Sequence, residues 1–136
     1  MKPYTSYSFE TVLNVPISEA RKKTVDALKS EQFGLISEID IAEKLKEKLR
    51  IDHPPHIILG ACNPQLAHQA LEENTDVALA LPCNVVLREN DGETTVSALL
   101  PSVALKPFEG IKVQKSSCTA EEKLSRVFDS LATDTN

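Results

Sequence analysis

The sequence contains no tryptophan and only six other aromatic residues, two tyrosines and four phenylalanines, among its 136 residues. Aromatic side chains bury large areas in most protein cores, so this core has to be built mainly from leucine, isoleucine, valine and alanine. Hydrophobic residues still make up 41% of the chain, which is enough for a true core. A chain of this length is typical of one domain, and such domains bury roughly two-thirds of their unfolded surface. We therefore expect a single domain spanning residues 1–136.

Long apolar runs are also missing. The first seven residues, Met1 to Tyr7, lack the hydrophobic centre of a signal peptide, and no run approaches the roughly 20 residues of a membrane span. The three cysteines are an odd number and lack the spacing of a small disulfide scaffold. These features predict a cytoplasmic protein with no membrane partner and no disulfide bond.

An excess of positive charge is absent as well, since the formal net charge is −5. Nucleic-acid binding usually needs a basic patch on a basic domain, so we expect no nucleic-acid partner. The densest basic stretch, residues 44–50, is interrupted by Glu47 and is typical of a solvated helix face. The chain also lacks a glycine-rich phosphate loop, a nucleophile elbow and a zincin motif, so no motif indicates a particular cofactor.

The first half of the chain predicts three strands and three helices. Alternating apolar residues predict strands over residues 6–14, 33–39 and 56–61. Helical periodicity predicts a helix over residues 17–31, opened by Pro16 and Ser18. A capping-box-like start at Asp40 predicts a short helix to Arg50. Asn63 followed by Pro64 is typical of a helix start, and that helix is expected to end near Asn74.

The second half predicts a β-hairpin and a final helix. Residues 83–89 and 93–99 flank an Asp-Gly turn, which is a strong hairpin signal. Residues 77–81 fit either a helical turn or a strand, and residues 101–117 are expected to be irregular. A second capping box at Thr119 predicts an amphipathic last helix, with residues 133–136 frayed. The apolar faces traced in this way predict nine buried side chains: Phe9, Leu28, Leu45, Ile58, Leu71, Val85, Val96, Leu124 and Phe128.

The sequence predicts an α+β fold with an antiparallel sheet, because its longest hairpin is local and its helices do not alternate strictly with its strands. Within it, two Cys-Asn dipeptides stand out. Cys62-Asn63 follows the apolar run of residues 57–61, and Cys83-Asn84 opens the hairpin after Pro82. If the two strands are neighbours, two thiols and two amides converge.

Several segments of this chain, taken in order, resemble the domain-of-unknown-function 302 family over residues 9–101. They are Phe33-Gly34, Glu38-Ile39-Asp40, Leu45-Lys46-Glu47-Lys48-Leu49, Ile58-Leu59-Gly60-Ala61-Cys62-Asn63-Pro64, Ala67-His68 and Leu81-Pro82-Cys83-Asn84-Val85-Val86. The resemblance implies a curved antiparallel sheet backed by helices, similar to the topology of the TATA-binding-protein class. It also implies a family often seen as homodimers in bacteria and archaea, with no settled activity. Residues 102–118 fall outside the resemblance.

Six residues are candidates for a binding site: Cys62, Asn63, Cys83, Asn84, Glu38 and Asp40. Cys62 precedes a helix start, where backbone N–H groups favour a thiolate, but a free cysteine is more often a small buried residue, whose pKa burial raises. We favour burial of Cys62, because the run before it is typical of a central strand. Two thiols alone are too few for a structural zinc site. Glu38 and Asp40 form a possible carboxylate pair, although Asp40 also fits the role of a helix cap.

Three functions remain open from the sequence. The first is a small-molecule or metal-binding module with its site around the two Cys-Asn motifs. The second is a thiol-dependent enzyme that uses Cys62. The third is an interaction protein that works as a homodimer and buries its cysteines.

Overall fold

The computed structural model of the protein describes residues 1–133. The strands are β1 (Ser8–Leu13), β2 (Gly34–Asp40), β3 (His56–Cys62), β4 (Cys83–Asn90) and β5 (Glu93–Leu99). The α-helices are α1 (Ile17–Ser30), α2 (Ile41–Leu49), α3 (Pro64–Glu73), α4 (Pro101–Ala104) and α5 (Ile111–Thr133). One 3₁₀ helix, Thr75–Ala80, follows α3.

The five strands form one open sheet in the order β1-β5-β4-β3-β2, and every neighbouring pair is antiparallel. The predicted hairpin is present between β4 and β5, where Asp91 and Gly92 both have positive φ angles of 52° and 80°, as a tight two-residue hairpin turn requires. An antiparallel sheet backed by helices confirms the α+β class.

The main core lies between one face of the sheet and the helices α1 and α5. Side chains along each strand alternate between the two faces of the sheet. Those that face the helices include Phe9, Leu59, Val85 and Val96, which are buried. The rings of Phe9 and Phe128, which lies on α5, stack with their centroids 5.5 Å apart.

Six of the nine predicted core residues are buried, and three are only half-buried. Leu45 lies on α2, a helix with no buried residue. Ile58 pairs with Ile39 and Val86, and alternates with buried Leu59, so it lies on the sheet face away from the helices. Leu71 packs at the border of a smaller second cluster, whose members are Ala70, Val77, Leu105 and Val113.

Two helix starts predicted from local sequence are confirmed. The Asp40 carboxylate accepts a hydrogen bond from the backbone N–H of Glu43 at 2.9 Å. The Asn63 side-chain oxygen accepts one from the backbone N–H of Leu66 at 3.2 Å. Each side chain satisfies an N–H group that the first helical turn leaves unpaired.

Two predictions are wrong here: that residues 101–117 are irregular throughout, and that the last helix starts at Thr119. Residues 101–104 form α4, and α5 begins at Ile111, so Thr119 lies inside a 23-residue helix rather than at its start. The start of α5 is capped from elsewhere in the chain, because a carboxylate oxygen of Glu73 accepts from the backbone N–H of Val113 at 3.0 Å. Residues 77–81, ambiguous in sequence, lie mostly in the 3₁₀ helix. The predicted frayed tail falls, apart from Thr133, outside the described residues.

The face of the sheet away from α1 and α5 has no helical layer in the described part of the chain. Val12, Ile39 and Leu99 point to this outer face and are 43–49% exposed. Arg88 and Glu10 lie on the same face and approach each other to 3.5 Å. None of the helices within residues 1–133 is long and apolar enough to cross a membrane.

Candidate functional site

The antiparallel pairing of β3 with β4 brings the two Cys-Asn dipeptides together. Ala61 pairs with Cys83, and Gly60 pairs with Asn84, so the end of β3 lies beside the start of β4. Close approach is possible because Gly60 has no side chain. A Cβ atom there would lie 2.8 Å from Cγ of Pro82 and would overlap the Ser37 hydroxyl. The two strands are neighbours, so the two Cys-Asn dipeptides converge at one end of the sheet.

A cavity of about 320 Å³ opens at this end of the sheet, and we call it the Cys-Asn cavity. Its floor and walls come from β3, β4, the end of β5, α3, α4, α5 and the 3₁₀ helix. The apolar lining is formed by Phe33, Ala61, Leu66, Ala67, Ala70, Val77, Leu79, Ala80, Leu81, Pro82, Leu99, Pro101, Ala104, Leu105 and Ala120. The polar lining is formed by Cys62, Asn63, Cys83, Asn84 and Ser116. No charged side chain is among these residues, although charged residues make up 26% of the chain.

Both thiols in the cavity are stabilised in their protonated form. Burial raises the pKa of Cys83 to about 11, and the nearby Cys62 thiol adds to this rise. Burial also raises the pKa of Cys62, which is half-buried. Desolvation disfavours a thiolate and here outweighs the start of α3. Neither thiol has the lowered pKa that activates a cysteine nucleophile.

The two amides differ in what they are free to do. The Asn63 oxygen is committed to capping α3, and the side chain is buried. The Asn84 side chain is exposed and has no hydrogen-bond partner within residues 1–133. Its amide offers one acceptor and two donor hydrogens to a molecule that enters the cavity.

The two candidate carboxylates do not join this cavity. Glu38 lies on the edge strand β2 and receives two hydrogen bonds from the Arg21 guanidinium, at 2.6 and 2.9 Å. This pairing lowers the pKa of Glu38 against the opposing effect of burial. Asp40 caps α2. Both carboxylates therefore have structural partners away from the thiols.

The part of the cavity that α4 and α5 supply is not predicted from the sequence, because residues 101–117 are expected to be irregular. Ser116 and Ala120 line the cavity from α5. Their i, i+4 spacing continues to Leu124, so extending the helical periodicity backwards from Thr119 is the signal that finds them. Within residues 1–133, no group of three or more His, Cys, Asp or Glu side chains is placed to hold a metal ion.

An open antiparallel sheet, helices on one of its faces and a cavity at one end define an α+β protein with a small internal pocket. The family model described as Domain of unknown function DUF302 matches residues 9–131, and the chain belongs to this family. The match includes residues 102–118, so the family extends beyond the residues 9–101 that resemble it in sequence motifs.

The fold is also similar to that of a solved structure, the crystal structure of an uncharacterized conserved protein DUF302 from Bacillus stearothermophilus. The TM-score is 0.83 at 27% sequence identity, and the alignment covers 93% of this chain and 98% of the other. No curated protein matches the chain.

Proposed function

We propose that this protein binds a small, uncharged and largely apolar molecule in the Cys-Asn cavity. The observation that carries the proposal is the lining itself, a cavity of about 320 Å³ without one charged side chain. Pockets for small ligands are concave, mostly apolar and begin at about 300 Å³.

The chemistry of the lining selects a neutral ligand. Moving an ionised group into this cavity removes it from water without supplying an opposite charge, which is costly. Apolar surface buried there contributes roughly 25 cal/mol per Å². The Asn84 amide at the mouth supplies the hydrogen bonds that orient a hydroxyl, carbonyl or amide group of the ligand.

Three compounds of one size test this proposal: benzyl alcohol, benzoate and benzylamine. The neutral alcohol is expected to shift the amide NMR resonances of residues 61–63, 83 and 84, while both charged compounds leave them unchanged. Ala67→Leu fills the cavity from α3 and should abolish the shifts. Gln65→Leu is the matched control, because residue 65 is exposed on the same helix and does not line the cavity. Equal or tighter binding of a charged compound, or binding retained by Ala67→Leu, would contradict the proposal.

We further propose that two copies of this protein associate through the outer sheet face. Exposed Val12, Ile39 and Leu99 give this face apolar area. The neighbouring Arg88 and Glu10 give it both signs of charge, which suits the self-complementary contact of a two-fold dimer. Light scattering at micromolar concentration should give twice the chain mass, and Val12→Lys should give the monomer mass. A monomer mass for the unmodified protein would contradict this proposal.

We also propose that the protein is located in the cytoplasm. It rests on the odd number of cysteines, all three of which are free thiols, because disulfides are rare in a reducing compartment.

A further inference from the structure

A second cleft lies at the opposite end of β3 from the Cys-Asn cavity. His56 begins β3, whereas Cys62 ends it. This cleft has a volume of about 390 Å³ and lies between α2, the start of α1 and the loop that precedes β3. Unlike the Cys-Asn cavity, it is lined by charged and titratable side chains, among them Asp40, Glu43, Asp52 and the pair His53 and His56.

The two imidazoles meet nitrogen to nitrogen. Nε2 of His53 lies 3.1 Å from Nδ1 of His56. The ring planes are within 15° of parallel, but the centroids are 5.3 Å apart. That separation is too large for a face-to-face stack with nitrogens in contact, so the rings meet edge to edge. One hydrogen shared between the nitrogens completes the contact when both rings are neutral.

The distance between these two nitrogens is close to the distance between two imidazole nitrogens that bind the same metal ion. Transition-metal–imidazole bonds are about 2.05 Å long, so two nitrogens on one ion lie about 2.9 Å apart at a right angle and about 3.3 Å apart at a tetrahedral angle. We propose that His53 and His56 bind one divalent transition-metal ion of the class that prefers imidazole ligands, such as Ni²⁺, Zn²⁺ or Cu²⁺. Binding exchanges the shared hydrogen for the metal, with a shift of that hydrogen to the other nitrogen of its ring and a tilt of each ring off the nitrogen–nitrogen line.

The charges around the pair favour a cation. The carboxylates of Asp40, Glu43 and Asp52 line the cleft, against the single ammonium of Lys46, which lies 2.7 Å from Asp52. Arg88 approaches His56 from β4, and its positive charge works against the attraction of a cation by these carboxylates.

The site is open on one side. His53 is exposed and His56 is half-buried. Within the described residues no third side chain completes a ligand set, so water fills the remaining positions, as it does in exchangeable metal sites. The site is therefore one of moderate affinity that accepts and releases its ion.

Ni²⁺ titrated into the full chain by calorimetry near neutral pH, in a buffer that does not bind metal, tests the proposal. His53→Gln should weaken Ni²⁺ binding about tenfold or more, since half of the protein ligands are lost. His68→Gln is the matched control. His68 is the third histidine of the chain, exposed on α3 and 3.6 Å from Glu72, so this variant should bind as the unmodified protein does.

Paramagnetic broadening by Ni²⁺ locates the bound ion independently of affinity. Broadening should centre on the amides of residues 52, 53, 56, 57 and 88, and should be lost in His53→Gln. Unchanged affinity in His53→Gln, or broadening centred on residues 61–63 and 82–84, would overturn the proposal. His56→Gln should give the same loss, and an unchanged amide spectrum apart from the mutated loop shows that this variant stays folded.

Discussion

The Cys83 thiol is the residue whose chemistry depends most on its surroundings. Its pKa is raised to about 11 from an ordinary value of 9.0. Because the folded state keeps a proton that the unfolded chain releases, this thiol contributes stability that is fully present below pH 9. That contribution is lost as the pH rises through the folded-state pKa.

The first prediction follows from this shift. The free energy of unfolding of the native protein should fall by about 1 kcal/mol more between pH 7 and pH 10 than that of Cys83→Ala. Urea unfolding at the two pH values measures the difference. Lysines and tyrosines also titrate in this range, so the comparison between the two proteins isolates the thiol. An identical pH dependence in both would show that Cys83 is solvated.

The second prediction concerns Gly60, whose missing side chain lets β2 and Pro82 approach β3. Gly60→Ala places a methyl group 2.8 Å from Cγ of Pro82 and on the Ser37 hydroxyl. We expect it to lower the free energy of unfolding by about 1–3 kcal/mol, the usual cost of overpacking. It should also shift the NMR resonances of Cys83 and Asn84.

Gly34→Ala is the control for Gly60→Ala. Gly34 also lies in the sheet, but a Cβ atom there meets its nearest neighbour, the carbonyl oxygen of Cys62, at an ordinary 4.0 Å. Its free energy of unfolding should stay within about 0.5 kcal/mol of the unmodified protein. Equal losses in the two variants would contradict the steric explanation.

The elements differ in how far local sequence determines them. Asp40 and Asn63 cap helices that begin immediately after them, so the signal and the structure lie within four residues of each other. The helix α5 starts instead where Glu73 reaches it from α3, 40 residues earlier in the chain. A window of local sequence does not contain that contact, so local sequence wrongly predicts the helix start at Thr119.

The same limit applies to the candidate site. The two Cys-Asn motifs are visible in the sequence, but their convergence requires β3 and β4 to be neighbours. The sequence does not establish that pairing, because α3 and the 3₁₀ helix separate the two strands along the chain. The cavity itself depends on α4 and α5 closing over the sheet end, through residues such as Ala104 and Ser116. The His53–His56 contact depends on the path of a proline-containing loop, which residue spacing does not specify.

The third prediction tests the long-range cap of α5. Glu73→Ala removes the acceptor for the Val113 N–H and should lower the free energy of unfolding by about 1 kcal/mol, as loss of other helix caps does. Hydrogen exchange should speed up selectively at residues 111–115. Glu72→Ala is the control, because Glu72 is the neighbouring exposed residue on α3 and its carboxylate lies 3.6 Å from His68. Equal effects of the two variants would argue against a cap.

At the scale of the whole molecule, the buried side chains fall into two clusters. The larger lies between the sheet, α1 and α5, and the smaller lies beneath α3, the 3₁₀ helix and the start of α5. Helix α5 contributes to both, through Leu124 in the first and Val113 in the second. A helix shared by both clusters couples their unfolding, and we propose that the chain folds as one cooperative domain.

The last prediction compares one leucine from each region. Leu28 is 2% exposed in the larger cluster, so Leu28→Ala should cost about 2–5 kcal/mol of unfolding free energy. Leu71 is half-buried at the border of the smaller cluster, so Leu71→Ala leaves a smaller cavity and should cost clearly less. Urea unfolding followed by circular dichroism should show a single transition with an unchanged slope in both variants. Two separate transitions in Leu71→Ala would mean that the cluster beneath α3 unfolds independently of the sheet, in spite of the helix that joins them.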